Sequence, residues 1–424
     1  MIYEQALKYI HSLNRFGIKP GLERITALLN ALGNPHLKLK CIHIAGTNGK
    51  GSTSTALSNI MIAEGKKTGL FISPFVVDFR ERIQIYGEYI SKSDLTRLTE
   101  EISKIVPEVE KSVEDNITEF EFITALMFTF FKEQNCDLVV LEVGLGGVLD
   151  STNVIEKPLA SVITKIDLDH TAILGDTIEK IATQKCGIIK PNCPVITSSK
   201  QNPIALNIIK ETAQKQNSKF IMAEVEKVSN LSLMPFGSEF IYNNINVTLN
   251  LAGAHQVENM SAVIQTALEL GVSKKAIQTG IANTRFPARL EVISKSPLVI
   301  IDGAHNENGA DVLANYLDEH KICPVTILGM MADKNCESVI EKIASRSKSV
   351  FTVKVEGNPR AETAENLANY AKKYCNNALP IKNYQTAIDI AAKKSSEISA
   401  PLLICGSLYL ASDIREMAIN YFKK

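Results

Sequence analysis

The chain carries no excess of charge of either sign: across 424 residues, Lys and Arg number 46 and Asp and Glu also 46. That balance gives no basic surface for a polyanion and no acidic tail, so nucleic acid is not expected as a partner. No apolar run approaches the ~20 residues that span a bilayer, and the opening "MIYEQALKYI" lacks the basic start and apolar core of a leader, so no membrane partner is expected. Cysteine is present eight times, yet no two form a C-x-x-C pair, and several sit in apolar runs. They read as reduced core thiols of a cytoplasmic protein. Repeats and low-complexity tracts are missing too. The length is too great for one ordinary core and argues for two or three domains, with a monomer expected.

What is present is a rhythm. Short apolar runs recur at 41–45, 137–143, 159–164, 193–197, 297–302, 324–329, 349–355 and 401–406, and helix-length segments such as 120–134 lie between most of them. Buried strands alternating with helices predict an α/β class, with a mostly parallel sheet covered on both faces. Around Asn243 and Asn244 two alternating runs predict a hairpin at the edge of the first domain, and 225–239 reads as the one long loop. The rhythm restarts after 285–297, which places the boundary near 290–296 and gives domains over 1–290 and 297–424.

The stretch "CIHIAGTNGKGSTSTALSNI" (41–60) runs from an apolar strand through Gly46, Gly49 and Gly51 into a helix expected to start near Ser52. Glycines allow consecutive N–H groups to point inward around phosphate oxygens, Lys50 adds a cation, and the helix dipole faces the same point. The bland alternative is a glycine turn that binds nothing. The spacing departs from G-x-x-x-x-G-K-[ST], because Gly51 separates Lys50 from the hydroxyl of Ser52. Magnesium must then find ligands elsewhere.

Glu142 ends a buried strand ahead of glycines, at the edge where open α/β sheets bind ligands. Asp167, Asp169 and His170 follow another strand. Oxygen suits magnesium, so Glu142 is the better ligand, and a lone His170 reads as a structural hydrogen-bonder. By helix periodicity Lys185 reads as a solvated lysine. "DGAHNENGA" (302–310) and "CGSLYLASDI" (405–414) are strand-end turns that by themselves suit helix capping.

Taken in order, "FGIKPGLERI", "HIAGTNGKGS", "FISPF" with "RERI", "TEFEFITAL", "LEVGLGGVLDSTN", "LDHTAILG", "QKCGIIKP", "GAHQVEN", "RFPARLE", "IDGAHNENG" and "GSLYLAS" resemble the folylpolyglutamate synthase and dihydrofolate synthase family of the Mur ligase superfamily, over nearly the whole chain. The resemblance implies a P-loop ATPase domain followed by a Rossmann-like domain. It also implies an ATP-dependent ligase that joins L-glutamate to the γ-carboxyl of folate polyglutamates through an acyl phosphate. Gly49, Lys50, Gly51 and Ser52 then match the ATP phosphate loop. Ser73, Glu142 and His170 match magnesium ligands, and Lys185 matches a lysine that the family carbamylates to face a second magnesium. Asn259, Arg289 and Asp302 match nucleotide contacts, and His305 and Ser407 match positions linked to the incoming glutamate. The stretch Thr118, Glu119, Phe120, Glu121 and also Asp150 match the pterin side. Lys50, Lys185 and His305 would carry the chemistry, and the second domain would shield the acyl phosphate from water.

Departures are Phe75 where many relatives have histidine, and Val148 and Ser151 within their "GGRLDATN"; Cys186 replaces a common alanine. The resemblance leaves open whether dihydropteroate is also a substrate. Two other readings stand beside it: a cell-wall Mur ligase, disfavoured by the glycine after Lys50, and a nucleotide-binding switch, which leaves the second domain without a task.

Overall fold

The computed structural model describes residues 1–13 and 20–422. The start of the "FGIKPGLERI" motif, residues 16–19, lies outside them. The described residues form two compact units, one of Met1–Leu231, Phe240–Thr248 and Gln256–Thr284, the other of Ser232–Glu239, Leu249–His255 and Arg285–Lys424.

The first unit is built on an eight-stranded sheet. Its strands are β1 (Cys41–Ala45), β2 (Thr68–Phe71), β3 (Ile83–Ile85), β4 (Glu88–Tyr89), β5 (Leu138–Glu142), β6 (Ala160–Ile163), β7 (Val195–Ser198) and β8 (Phe220–Ala223), in the order β4-β3-β2-β5-β1-β6-β7-β8. From β2 to β8 the strands are parallel, while β3 and β4 add on antiparallel. β1 and β5 are buried at every residue, which is why they read as unbroken apolar runs and not as alternating ones.

Cys41, Phe71, Val139 and Leu141 of the sheet join one core cluster with Phe122, Phe128 and Phe131 of the helix Glu119–Glu133. Thr118 starts that helix with a reciprocal cap: its hydroxyl accepts from the Glu121 N–H, and the Glu121 carboxylate accepts from the Thr118 N–H at 2.8 Å. The helix Lys50–Ala63 packs so closely on the helix Lys274–Ala282 that Gly280 has no room for a side chain beside Ile60.

The hairpin of β10 (Gly237–Tyr242) and β11 (Ile245–Leu249) turns at Asn243 and Asn244, both left-handed, as a two-residue turn of this kind requires. It belongs with β9 (Ser229–Met234) to a separate three-stranded sheet and does not edge the large one; β8 does. The expected loop at 225–239 therefore contains β9 and the start of β10. β9 is exposed over most of its length and offers no apolar signal.

The second unit carries a six-stranded sheet, ordered β12 (Glu291–Lys295), β13 (Leu298–Ile301), β17 (Leu402–Cys405), β14 (Val325–Leu328), β15 (Ser349–Thr352), β16 (Ala378–Pro380), parallel except for β12. The α/β expectation therefore holds in both units.

Candidate active site

β1 delivers the glycine turn. Gly46 and Gly49 have φ of 155° and 87°, and Gly49 caps the helix Lys50–Ala63 from a left-handed conformation. Gly51 lies inside that helix and is not among the positive-φ glycines, so the helix begins two residues earlier than expected and only two glycines need unusual angles. The turn is moored to the segment after β6: Lys165 O accepts from Thr47 N at 2.8 Å, and the Thr47 hydroxyl both donates to Asp167 O and accepts from Asp167 N at 3.0 Å. Lys50 Nζ donates to Thr47 O at 3.3 Å.

Lys185 is buried, not solvated: it is 4 % exposed, and its Nζ donates to Gly46 O at 2.7 Å. Burial, followed by the nearby Lys50 charge, pushes its amine down to about 7. Periodicity missed this because the helix Ile178–Lys185 ends against a glycine loop. A β-carbon on Gly147 would lie 2.5 Å from Gln184 O, and one on Gly187 2.5 Å from a Val148 methyl.

Asn259 lies directly against Gly49, and its amide donates to Gln256 Oε1 at 3.0 Å, while Gln256 reaches the Ser52 hydroxyl at 3.4 Å. Gln256 was quoted within "GAHQVEN" but not singled out.

Register places Glu142 beside the turn, for Glu142 pairs with Ile44 one strand over. It is buried, and its carboxylate accepts from the Ser73 N–H at 3.1 Å. His170 is half exposed, caps the short helix Thr171–Leu174 in a left-handed conformation, and has Nε2 3.8 Å from Asp169 Oδ2. Among the described residues no three His, Cys, Asp or Glu side chains are grouped to hold a metal. A carboxylate with a neighbouring hydroxyl nonetheless fits magnesium, a hard ion that commonly takes one or two protein oxygens and draws the rest from phosphates and water.

Among the residues expected on the pterin side, Glu121 is 1 % exposed and spends its oxygens on Arg24 Nε at 2.9 Å and on Thr118. Glu119 has one oxygen 3.4 Å from His11 Nδ1 and the other buried without a hydrogen-bond partner. The Phe120 ring covers Gly144, so a side chain there would not fit. Asp150 is buried and accepts from Leu145 N at 2.7 Å, Thr152 N at 3.0 Å and the Thr152 hydroxyl at 2.5 Å. Burial raises its pKa and these donors oppose the rise. Phe75 meets Phe79 edge-on, with the Arg82 guanidinium 5.3 and 5.6 Å from their centroids. Arg82 stands in the quoted "RERI"; no local signal says that it would lie over these rings.

In the second unit, the paired strands β12, β13 and β17 bring four expected residues to one sheet edge. Asp302 is buried and accepts from Leu290 N and Ala304 N, both at 2.8 Å; burial raises its carboxyl pKa, against the pull of Arg289. Ala288 and Leu290, on either side of Arg289, are both left-handed. His305 Nδ1 is 2.8 Å from Gly303 O, and Gly303 packs on Leu408, next to buried Ser407. Arg360, which the sequence did not single out, has guanidinium nitrogens 3.4 Å from Asp333 Oδ2 and from the Tyr409 hydroxyl.

Comparison with known proteins bears on the family and the fold. Residues 44–267 match the Mur ligase middle domain and residues 289–417 the C-terminal domain of dihydrofolate synthetase. The chain is 36 % identical to the folylpolyglutamate synthase of Lacticaseibacillus casei, over 99 % of each chain. It is 35 % identical to the dihydrofolate synthase/folylpolyglutamate synthase of Bacillus subtilis, over 98 % of each. Among solved structures, the Mycobacterium tuberculosis folylpolyglutamate synthase complexed with ADP and AMPPCP superposes with a TM-score of 0.89 at 28 % identity, covering 98 % of this chain and 99 % of that one. The chain belongs to the folylpolyglutamate synthase and dihydrofolate synthase family of Mur-type ATP-dependent ligases.

Proposed function

We propose that the protein uses ATP to add L-glutamate to the γ-carboxyl of reduced folate polyglutamates through an acyl phosphate. The observation that carries this reading is the glycine turn of β1, flanked by Lys50, by the buried Lys185 amine and, one strand away, by Glu142. A carboxylate is a poor acyl donor in water, so a folate acid must first take the γ-phosphoryl group of ATP. Two anions meet in that step. Lys50 and the N–H groups of Gly49 to Ser52 would balance the phosphate charge, with Asn259 against the same turn.

Ser73, Glu142 and His170 would hold one magnesium. Lys185, once carbamylated, would hold a second: an amine held near neutral pH exposes its lone pair to carbon dioxide, as a fully charged ammonium does not. Bound magnesium supplies neutralisation of the triphosphate. Thr118 to Glu121 and Asp150 would border the folate. Arg289 and Asp302 would serve the nucleotide, and His305 and Ser407 the amino acid whose amine attacks the acyl centre and releases phosphate. The sequence-based division at 1–290 and 297–424 belongs to this reading and is supported by the separate family matches. A monomer is the expected state, and no helix among the described residues is long and apolar enough to cross a membrane.

Phosphate release by the purified protein with ATP, magnesium and glutamate tests the proposal. Release that requires tetrahydrofolate supports it, and additional release with dihydropteroate assigns the bifunctional form. Nucleotide binding without glutamate-dependent release would mark a switch instead.

A further inference from the structure

His43 stands in the middle of β1, fully buried, between Cys41 and Ala45 on the same face of the sheet. Its Nε2 lies 2.8 Å from the Thr152 hydroxyl, which lies 2.5 Å from Asp150 Oδ1. Both Asp150 oxygens also accept from backbone N–H groups, Oδ2 from Leu145 and Oδ1 from Thr152, so Oδ1 stands as an acceptor. The single proton of the Thr152 hydroxyl therefore goes to Asp150. Its oxygen must then accept from His43, which fixes the proton on Nε2 and leaves Nδ1 bare. That Nδ1 is buried with no hydrogen-bond partner.

An unpartnered imidazole nitrogen in a sheet interior is unfavourable, and an apolar side chain would suit the position better. Stability therefore does not account for a histidine here, whereas the hydrogen bond to Thr152 does. Asp150, at the far end of the chain of bonds, ties down Leu145, in the loop that follows Glu142, lies under Phe120 and packs on the end of the Lys185 helix.

We propose that His43 is a positioning residue for the folate side of the site: by donating to Thr152 it directs the hydroxyl proton onto Asp150 and so fixes the loop at Leu145. The proposal rests on the folate-ligase reading. In His43→Leu the Thr152 hydroxyl is free to turn elsewhere, and Asp150 loses its shortest hydrogen bond.

The test is steady-state kinetics of the full chain with tetrahydrofolate, ATP and glutamate. His43→Leu is expected to raise the KM for folate about tenfold, to leave the KM for ATP within about twofold, and to melt no lower than the parent. His43→Gln, which keeps an N–H donor at similar reach, is expected to stay within about threefold of the parent. Thr152→Val should repeat the loss, and the His43→Leu/Thr152→Val pair should be no worse than either single change. An unchanged folate KM in His43→Leu, or losses that multiply in the pair, would overturn the proposal. If His43→Leu does not fold, Thr152→Val decides alone, by the same folate KM. If the parent turns over no folate, the functional reading has failed and amide exchange at Leu145 decides: faster exchange in Thr152→Val than in the parent and in His43→Gln supports the relay, and equal exchange rejects it.

Discussion

A β-carbon placed on Gly49 would come within 2.5 Å of Asn259 Oδ1, so the glycine turn and the helix Ala254–Glu269 touch backbone to amide. Gly49 also has φ of 87°, which a residue with a side chain resists. Gly49→Ala therefore meets both a steric and a conformational barrier in the turn proposed to aim N–H donors at phosphate. We expect kcat/KM for ATP to fall about 100-fold or more. Adding Asn259→Ala removes the steric barrier and leaves the backbone one, so recovery should be partial; nucleotide titration of the two variants checks the order.

Glu142→Gln separates charge from shape. The amide oxygen still accepts from Ser73 N, so the strand end keeps its anchor while the negative charge is lost. The expected result is a kcat at least about 100-fold lower with a melting temperature within about 3 °C of the parent. Lys50→Ala should behave alike, because its side chain contacts only its own turn in the hydrogen bond it makes. Near-normal phosphate release in either variant would remove that residue from the site.

How much of this was readable beforehand depended on the range of the forces involved. β1 and β5 are contiguous buried runs, so their class and nearly their limits follow from composition, and Glu142 follows as a strand end. β2 (Thr68–Phe71) gives no strand signal because Gly69, pressed against the Phe131 ring, breaks a run of only four residues. Gly51 reads as a turn glycine in the sequence, because sequence shows a residue type and not its φ. The burial of Lys185 against Gly46 and the link from His43 to Asp150 both join residues far apart in the chain. Local pattern carries no trace of such pairs, and only the resemblance raised Lys185 above a solvated lysine.

Arg24 and Glu121 form a buried ion pair, at 8 % and 1 % side-chain exposure, with Asp115 3.0 Å from the same guanidinium. Removing one partner leaves the other charge in a low-dielectric site. Arg24→Ala is expected to cost about 3–5 kcal/mol of stability, whereas the double exchange Arg24→Met/Glu121→Gln should cost less because no fully buried charge is stranded, Asp115 being 33 % exposed. Urea unfolding of both variants makes the comparison; equal losses would show that the pair is not coupled.

Lys185→Ala should abolish turnover and regain part of it with a short exogenous acid such as acetate, since the deleted arm leaves space lined by Gly46 O and the Lys50 charge. A cavity that merely lost packing would show no dependence on acid. The measurement is the rate of phosphate release against acetate concentration, with ethanol as the uncharged control, and a variant that is fully active without acid would count against the carbamylated form.

His43 also predicts how stability depends on pH. Burial, reinforced by the positive charge of Lys190, pushes its pKa from 6.5 down to about 3, and the groups facing it are Lys190 and, through Thr152, Asp150. Below pH 6.5 the unfolded chain takes up a proton that the native state refuses, so the unfolded state binds more protons and stability falls as pH falls. The contribution is whole above 6.5 and drains away toward 3, at about 1.4 kcal/mol for each unit well below 6.5. His43→Leu has no such group. Its urea midpoint should therefore hold a constant offset from the parent at pH 7 and above and gain on it steadily from pH 6 to pH 5. Parallel curves over that range would mean that the native state takes up the same proton, on Nδ1, with Nε2 still donating to Thr152.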